Sequence, residues 1–363
     1  MKLQSDITKN GRGSGKSPGA YEWWYFDAVD PERELRVVAI FYEGNPFSRR
    51  YIEAQRSGAA RSEQFPAVSI SVYGGGRTLY CSFTEYGPGE ARFGQEGAVL
   101  QVGRHRVETV MEEGGVRCRL HLCEELPSGD ALEGELEYRG PAPDPGLFAE
   151  AAGEAEHTWN LALPRAGVRG ELRLRTPLHE ERRLAFEGRG YHDHNTGAEP
   201  MKEAFRNWYW GRVHFEAGTL VYYVMDDRDA GGGRSREQAW LIASDGGSIS
   251  ERFVRVEAED RQRTLFGLHT ARRMVIAGEG AQVTVQHEQV LDSGPFYQRF
   301  ASRAFLRLPG ESAVQAQPGI AEYLRPERIH QRLFWPLVNM RIYYRAEGPH
   351  WVQRSPRLYR WTW

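Results

Sequence analysis

The sequence is poor in cysteine and in lysine. Among its 363 residues are 3 Cys, and only four of its 47 basic residues are Lys. Cys118 and Cys123 lie five residues apart in one strand-like stretch, so their side chains would point to opposite faces and pair badly. Together with Cys81 they make an odd number. We therefore expect buried free thiols, which favour a reducing, cytoplasmic location.

The sequence also lacks apolar segments that would cross a membrane. Its longest apolar runs, Val37–Tyr42 and Leu220–Met225, are far shorter than the roughly 20 residues of a membrane-spanning helix. The opening residues are polar and rich in Gly and Ser, unlike a secretory signal segment. These features predict a soluble protein that at most rests on a membrane surface as a peripheral protein.

No excess of one charge is present. The 47 basic and 49 acidic residues give a formal net charge of -2, and no Lys/Arg-rich run occurs, so nucleic acid is not the expected partner. No Gly-x-Ser-x-Gly nucleophile elbow follows a predicted strand, which argues against a serine hydrolase. The oligomeric state is left open by these observations.

Aromatic residues, in contrast, make up 12% of the sequence. Short β-branched and aromatic segments alternate with Gly, Pro, Asp and Asn turns at a spacing of about ten residues. The length exceeds one ordinary core, and no long amphipathic helix is predicted. We therefore predict an all-β protein with two antiparallel β-barrel or sandwich domains. Its expected parts are a flexible leader at 1–19, an N-terminal domain at 20–188, a C-terminal domain at 189–363, short helices at Ala149–Ala155 and near Arg325–His330, and a last strand at Asn339–Tyr344.

The segment Glu22–Asp27 (EWWYFD) places large aromatic residues on both faces of a strand. In extended backbone, Trp24 shares one face with Glu22, and Tyr25 shares the other with Asp27. This pattern fits either an ordinary core strand or the wall of an apolar pocket that holds a carboxyl group.

The segment Gly188–Gly197 is rich in titratable residues between glycines. In a strand, Tyr191, Asp193 and Asn195 point one way. His192 and His194 point the other way, where two imidazoles could bind a metal. The segment is therefore a proton-donating constellation, a metal site or a polar turn between two domains.

The segment Asn207–His214 combines indoles with a cation. Trp208, Trp210 and Arg212 would share one face of a strand. The stripe fits either packing or substrate binding.

In this order, the three segments resemble the carotenoid 1,2-hydratase (hydroxyneurosporene synthase) family and its AttH-like relatives, which also include Diels–Alderase-type cyclases. The turn Gly197–Pro200 and the stretch Gly319–Pro326, which contains Glu322, match as well. The resemblance implies two lipocalin-like β-domains with a pocket at their interface. It also implies Asp193 and Tyr191 as catalytic residues. The substrate-binding candidates are Trp24, Tyr25, Asn195, Trp208, Trp210, Arg212 and Glu322.

Hydration of an alkene needs a strong proton donor, and a carboxyl group in an aromatic pocket can supply one. Protonation gives a tertiary carbocation, which indole and phenol faces stabilise by roughly 0.5–2 kcal/mol each. This chemistry needs neither cofactor nor metal, and its substrate would be a hydrophobic isoprenoid or polyene. Arg49 and Arg50, where the family is more apolar, instead favour an oxygenated or carboxylate-bearing molecule.

Three other functions stay open. A cofactor-free cyclase or pericyclase would use the same pocket mainly to hold reacting carbons together. A metal enzyme would use His192, His194 and Glu199 in a cupin-like arrangement, although the rest of that pattern is missing. A non-catalytic lipid or pigment carrier would only need the cavity.

Overall fold

The structure, a computed structural model, describes residues 1–13, 16–94, 99–148, 157–227, 235–310 and 314–363. About 58% of it is strand and 13% is helix, which confirms the predicted all-β class. The short helix expected at Ala149–Ala155 lies outside the described residues. No helix in the described part of the chain is long and apolar enough to cross a membrane.

The chain divides into two compact units: residues 1–200 with 332–363, and residues 201–331. This division differs from the domains expected at 20–188 and 189–363, because the strand that carries Tyr191 and Asp193 pairs within the first unit. The described strands of the first unit are β1 (Lys2–Gln4), β2 (Tyr21–Asp30), β3 (Leu35–Glu43), β4 (Ala67–Gly74), β5 (Arg77–Glu85), β6 (Ala91–Phe93), β7 (Val99–Val102), β8 (His105–Glu112), β9 (Gly115–Glu125), β10 (Ala131–Gly140), β11 (His157–Thr176) and β12 (His179–Gly197).

The described strands of the second unit are β13 (Phe205–His214), β14 (Gly218–Asp227), β15 (Ser235–Ala243), β16 (Ile249–Phe253), β17 (Arg255–Glu259), β18 (Gln262–Arg263), β19 (His269–Thr270), β20 (Arg273–Ala277), β21 (Gln282–Ser293), β22 (Tyr297–Arg307) and β23 (Gln315–Leu324); β24 (Tyr343–Tyr344) returns to the first unit. The helices are α1 (Arg49–Arg56), α2 (Met201–Ala204), α3 (Trp335–Arg341) and α4 (Pro356–Arg360), and the 3-10 turns are Ile7–Lys9, Ser62–Gln64, Pro88–Glu90, Pro326–His330, Arg332–Phe334 and Trp351–Arg354.

The first unit is built on one large sheet. Its described strands run in the order β24-β5-β4-β3-β2-β12-β11-β10-β9-β8-β7-β6, and β1 pairs in parallel with β11. Apart from β1 and β24, neighbouring strands are antiparallel. One face of the sheet encloses a core that includes Trp24, Phe26, Phe41 and Tyr138. Strands β2 and β12 therefore lie side by side in the middle of the sheet.

The second unit has its own sheet, with the order β16-β15-β14-β13-β23-β22-β21-β20-β17 among the described strands. In β13, Tyr209 and Val213 belong to the core of this unit. Alternation places Trp208, Trp210 and Arg212 on the opposite face.

Two short segments differ from the sequence expectation. Residues 1–19, expected as a flexible leader, include β1 and several contacts with the sheet: Ser5 Oγ donates to the carbonyl of Leu161 at 2.9 Å, and Asp6 exchanges hydrogen bonds with Asn160. The strand expected at Asn339–Tyr344 is limited to β24, because α3 runs to Arg341 and Pro336 occupies its first turn. The short helix expected near Arg325–His330 is confirmed as a 3-10 turn.

The free thiols are also confirmed. Cys81 and Cys118 are buried, Cys123 is half-buried, and none of the three is in a disulfide. Burial raises the pKa of the Cys118 thiol to about 12, so this thiol stays protonated.

Glycines in β12 make room for aromatic rings on both faces of the strand. A Cβ at Gly190 would lie 2.5 Å from the ring of Tyr138 on the core face. A Cβ at Gly197 would lie 2.3 Å from the ring of Tyr21, which lies on the other face. The glycines that frame Tyr191–Asn195 are therefore packing positions, which explains their place in the motif.

Replacing Gly190 with Ala should lower the stability of the protein by about 1–3 kcal/mol, because its Cβ overlaps Tyr138, Val168 and the carbonyl of Asp27. Urea unfolding followed by near-UV circular dichroism measures the change. Gly89→Ala is the matched control, since nothing lies within 4 Å of a Cβ there. Equal urea midpoints for Gly190→Ala and the wild type would contradict the close packing.

Candidate active site

Asp193 lies at the centre of a hydrogen-bonded group on β12. Its Oδ2 accepts hydrogen bonds from the Tyr191 hydroxyl and from Trp159 Nε1, both at 2.8 Å. Its Oδ1 accepts a hydrogen bond from Asn195 Nδ2 at 2.8 Å. Asp193 is only 4% exposed. Three donors therefore fix the orientation of a buried carboxyl group.

The predicted alternation of this strand is confirmed by its pairing with β2. Tyr191 lies opposite Asp27, Asp193 opposite Tyr25 and Asn195 opposite Trp23. Residues directly opposite each other in an antiparallel pair share a face. The side chains of Tyr191, Asp193 and Asn195 therefore lie on one face with those of Trp23, Tyr25 and Asp27. We call this set, together with Tyr21, His157 and Trp159, the Asp193 face.

Aromatic side chains surround the carboxyl group on the Asp193 face. The Tyr25 ring meets the Tyr191 ring edge-on at 6.2 Å, and the rings of Tyr21 and Trp23 stack at 5.1 Å. The Tyr21 hydroxyl is 2.7 Å from Nδ1 of His157. All nine side chains of the face are buried. The carboxyl group thus lies among buried aromatic side chains.

Two neighbours of Asp193 stay uncharged at neutral pH. Burial, followed by the charge and the hydrogen bond of Asp193, raises the pKa of the Tyr191 phenol well above its ordinary value of 10.0. Burial lowers the pKa of His157 to about 3, although a hydrogen bond with Asn195 opposes the shift. Tyr191 is therefore a hydrogen-bond donor and His157 a neutral imidazole.

Besides Asp193, the Asp193 face carries the carboxyl group of Asp27. It lies directly opposite Tyr191 and is fully buried. Glu22 belongs to the opposite face of β2, and Glu322 belongs to the second unit.

The opposite face of β12 carries His192 and His194, and both imidazoles contact other groups of the chain. His192 stacks on Phe26 at 3.9 Å, with Nδ1 2.9 Å from the carbonyl of Tyr25 and Nε2 3.1 Å from Oδ1 of Asn10. Burial lowers the pKa of His192 to about 3, so this imidazole is neutral at neutral pH.

His194 is part of a buried ion cluster. Its Nε2 is 2.7 Å from Glu22 Oε1 and its Nδ1 is 3.3 Å from the carbonyl of Lys9. Both partner atoms are hydrogen-bond acceptors. Lys16 pairs with Glu22 and, at 2.7 Å, with Glu43.

Arg12 extends this cluster with two hydrogen bonds of 2.7 Å to the carboxylate of Glu43. Burial alone would raise the pKa of Glu22, but the hydrogen bond and charge of His194 and the charge of Lys16 lower it to about 2. Arg12 and Lys16, which belong to the expected leader, are therefore held by ion pairs on the face of the sheet opposite Asp193. Among the described residues, no group of three or more His, Cys, Asp or Glu side chains is arranged to hold a metal ion.

Trp24 does not lie on the Asp193 face, where the substrate-binding expectation would place it. It is fully buried in the core of the first unit, stacked on His194 at 4.7 Å and on Phe93 at 5.1 Å, and its Nε1 donates to the carbonyl of Asn10. The even-numbered positions of β2 face the core, so parity separates Trp24 from Asp193.

The other predicted substrate-binding residues divide between the two units. Tyr25 and Asn195 contribute to the Asp193 face. In the second unit, Trp210 lies opposite Glu322, and Glu322 accepts a hydrogen bond of 2.9 Å from Arg299. Pairing of β13 with β23 therefore places four predicted residues on one face of that unit, and their role in substrate binding stays a prediction. These four are Trp208, Trp210, Arg212 and Glu322.

Arg49 and Arg50 do not form a substrate-binding pair of charges. Arg49 pairs with Glu53 at 2.8 Å and with Glu347 at 2.6 Å, and Arg50 pairs with Glu85 at 2.6 Å. Both guanidinium groups thus have partners within the first unit. The sequence argument for a charged substrate loses its support.

Trp159 and His157 were missed by the sequence reasoning. They start β11, which pairs with β12 so that Trp159 lies opposite Asn195 and His157 opposite Gly197. The sequence feature that could have indicated these two residues is the alternation of His157 and Trp159 with polar residues at the start of this strand. Only strand pairing, however, shows that they face Asp193.

Glu22→Gln should reduce the dependence of stability on pH. The folded pKa of about 2 is below the ordinary 4.5, so this carboxylate stabilises the fold above pH 4.5, and its contribution is lost as the pH falls towards 2. The size of that contribution is about 3 kcal/mol. Urea unfolding at pH 3, 5 and 7 should show that the variant is less stable at pH 7 and loses less stability on acidification.

Glu180→Gln is the control for this experiment, because Glu180 is exposed. Its curve should follow that of the wild type. An unchanged pH dependence in Glu22→Gln would show that the Glu22 carboxylate is not held as described.

Comparison with known proteins agrees with this geometry. The pattern of the carotenoid hydratase CrtC family matches residues 39–351. "Hydroxyneurosporene dehydrogenase" of Chlorobaculum tepidum is 32% identical over 94% of this chain and 92% of its own length. "Acyclic carotenoid 1,2-hydratase" of Thiocapsa roseopersicina is 26% identical over 82% of this chain and 67% of its own.

Among solved structures, CghA with Sch210972 has a TM-score of 0.59 and 13% sequence identity, and the match covers 89% of this chain and 97% of that chain. This likeness concerns the fold, and it confirms the expected lipocalin-like architecture. The resemblance inferred from the three motifs and the expected hydratase-like enzyme class are confirmed too. The chain belongs to the carotenoid hydratase CrtC family.

Proposed function

We propose that this enzyme adds water to a carbon–carbon double bond of a hydrophobic isoprenoid or polyene, with Asp193 as the proton donor and without a cofactor. The observation that carries the proposal is the buried carboxyl group of Asp193, held by Tyr191, Trp159 and Asn195 on an aromatic face. The family to which the chain belongs supports hydration, and the similarity to an acyclic carotenoid 1,2-hydratase supports an acyclic carotenoid as the substrate class.

In the proposed first step, the Asp193 carboxyl transfers its proton to the less substituted carbon, the CH carbon, of a trisubstituted alkene. The π electrons form the new C–H bond, and a tertiary carbocation and the Asp193 carboxylate result. The three donors stabilise the carboxylate as its charge develops, which lowers the barrier because they are already oriented. Tyr191 is suited to this role, since its raised pKa keeps the phenol protonated.

In the second step, water attacks the cation through an oxygen lone pair. The water then gives up a proton, which restores the Asp193 carboxyl and leaves a tertiary alcohol. Tyr25, Trp23 and Trp159 are the aromatic side chains of this face that can stabilise the cation, by roughly 0.5–2 kcal/mol each. Asp27 is the second carboxyl group on the same face and a candidate acceptor for the proton of the attacking water.

The positions of the histidines limit which groups can accept the proton of the attacking water. His194 lies on the other face of β12 and is bound to Glu22, so it is not available to the attacking water. His157, in contrast, lies on the Asp193 face, where its Nδ1 contacts Tyr21. We therefore propose Asp193 or Asp27, not His194, as the group that takes the proton from water.

Asp193→Asn should lower the rate of hydration by a factor of about 10²–10⁴, the usual contribution of a general acid. The amide keeps an oxygen acceptor for Tyr191 and Trp159 but cannot donate the required proton. The measurement is product formation from an acyclic carotenoid in detergent micelles, followed by chromatography. Asp245→Asn, at an exposed turn position, is the control and should keep the wild-type rate.

Oxygen-18 water separates hydration from the cyclase alternative. Hydration places one labelled oxygen in the product, whereas cyclisation or a pericyclic reaction adds none. Retention of most of the rate in Asp193→Asn would contradict acid catalysis, and an unlabelled cyclic product would favour the cyclase. Both outcomes are interpretable only if near-UV circular dichroism shows that the variant is folded.

A further inference from the structure

The part of the first unit after residue 331 is basic and rich in aromatic residues. Residues 332–363 contain six Arg and one Glu, whereas the whole chain has a formal net charge of -2. No acidic residue occurs between 348 and 363. The sequence of this stretch therefore differs in charge from the rest of the molecule.

One set of side chains of this stretch is buried, in the core of the first unit or against other residues of the stretch. Tyr359 is 1% exposed, belongs to the core of the first unit, and donates its hydroxyl to the carbonyl of Arg341 at 3.0 Å. Gln353 is also 1% exposed, and its Nε2 donates to the carbonyls of Asn339 and Met340. Val352 is buried as well. These anchors fix the direction of the neighbouring side chains.

The side chains next to the buried Val352, Gln353 and Tyr359 are exposed to solvent. Trp351 is 66% exposed, Leu358 39% and Trp361 89%. Arg354 and Arg357 are exposed at positions between them. Trp351 and Arg354 belong to the 3-10 turn Trp351–Arg354, Arg357 and Leu358 belong to α4, and Trp361 directly follows α4. We call these five residues the Trp/Arg surface.

The two arginines of this surface differ from their neighbours. Arg360 pairs with Asp130 at 3.1 Å, and Arg345 pairs with Glu90 at 3.1 Å. Arg354 and Arg357 form no ion pair within the part of the chain that the structure describes. Their charges are thus available to an external partner.

We propose that the Trp/Arg surface docks on an anionic lipid bilayer. Indole rings favour the interface between headgroups and acyl chains, and exposed guanidinium groups are attracted to anionic headgroups. Leu358, between the two indoles in sequence, adds aliphatic surface that can enter the acyl boundary. Two unpaired arginines are few for a nucleic-acid backbone, which is usually followed by a longer positively charged groove. The proposal does not depend on the chemistry of Asp193.

Co-sedimentation of the full-length protein with sucrose-loaded vesicles tests this proposal. Vesicles of phosphatidylcholine alone are compared with vesicles that contain phosphatidylglycerol as well, at low and at high salt. The wild type should bind the anionic vesicles at least about tenfold more strongly than the neutral ones, and salt should weaken the binding.

Two double variants separate the contributions of the surface. Trp351→Ala/Trp361→Ala should lower binding to anionic vesicles at least about tenfold, because the interfacial aromatic residues are lost. Arg354→Glu/Arg357→Glu should remove the preference for anionic vesicles. Circular dichroism confirms the fold of each variant, which should persist because neither changes Tyr359 or Gln353.

Matched controls change exposed residues elsewhere. Leu265→Ala removes an exposed apolar side chain of the second unit, and Arg77→Glu/Arg182→Glu reverses two other exposed charges. Both should bind like the wild type. Equal losses in the control and surface variants, unchanged binding in the double Trp variant, or binding to a single-stranded oligonucleotide in place of vesicles would overturn the proposal.

Discussion

The alternation of side chains along β12 is the constraint on which the candidate site depends. In an antiparallel sheet each strand presents successive residues to opposite faces, so five consecutive residues are divided into two sets with different tasks. Tyr191, Asp193 and Asn195 lie on the aromatic face, whereas His192 and His194 contact the core and the N-terminal residues. A shift of one residue in register would exchange the two sets and destroy both.

The face of β12 opposite Asp193 contacts charged side chains whose burial is costly. Glu22 and Glu43 are fully buried, and each would destabilise the fold by several kcal/mol without a partner. His194, Lys16 and Arg12 supply those partners. The N-terminal residues are thus needed by the same strand that carries Asp193. The site is preorganised from both faces of the sheet, as electrostatic stabilisation of a developing charge requires.

Ion pairs also explain the presence of Arg49 and Arg50, which the sequence alone related to the substrate. The consecutive Arg49 and Arg50 suggested an oxygenated or carboxylate-bearing substrate, but α1 places both beside glutamates of the first unit. Glu347, which contacts Arg49, comes from the chain after residue 331. The same stretch carries the exposed Trp351 and Trp361. Its charges therefore serve two purposes: some fasten it to the unit, and others face solvent.

Local patterns in the sequence determined much of this protein. Period-two alternation predicted the all-β class and the division of Tyr191–Asn195 into two faces, because it follows from backbone geometry alone. The three motifs predicted the family. The aromatic content of Glu22–Asp27 predicted a buried strand, although not which of its faces lies beside Asp193.

Only the tertiary structure decided which side chains meet. The pairing of β12 with β2 and β11 brings Trp159, His157 and Asp27 to the Asp193 face and directs Trp24 into the core. The pairing of β24 with β5 likewise joins residues 332–363 to residues 1–200. Such contacts join residues far apart in sequence, and they depend on strand order and register. No local pattern encodes either of these, because both result from the packing of the whole unit.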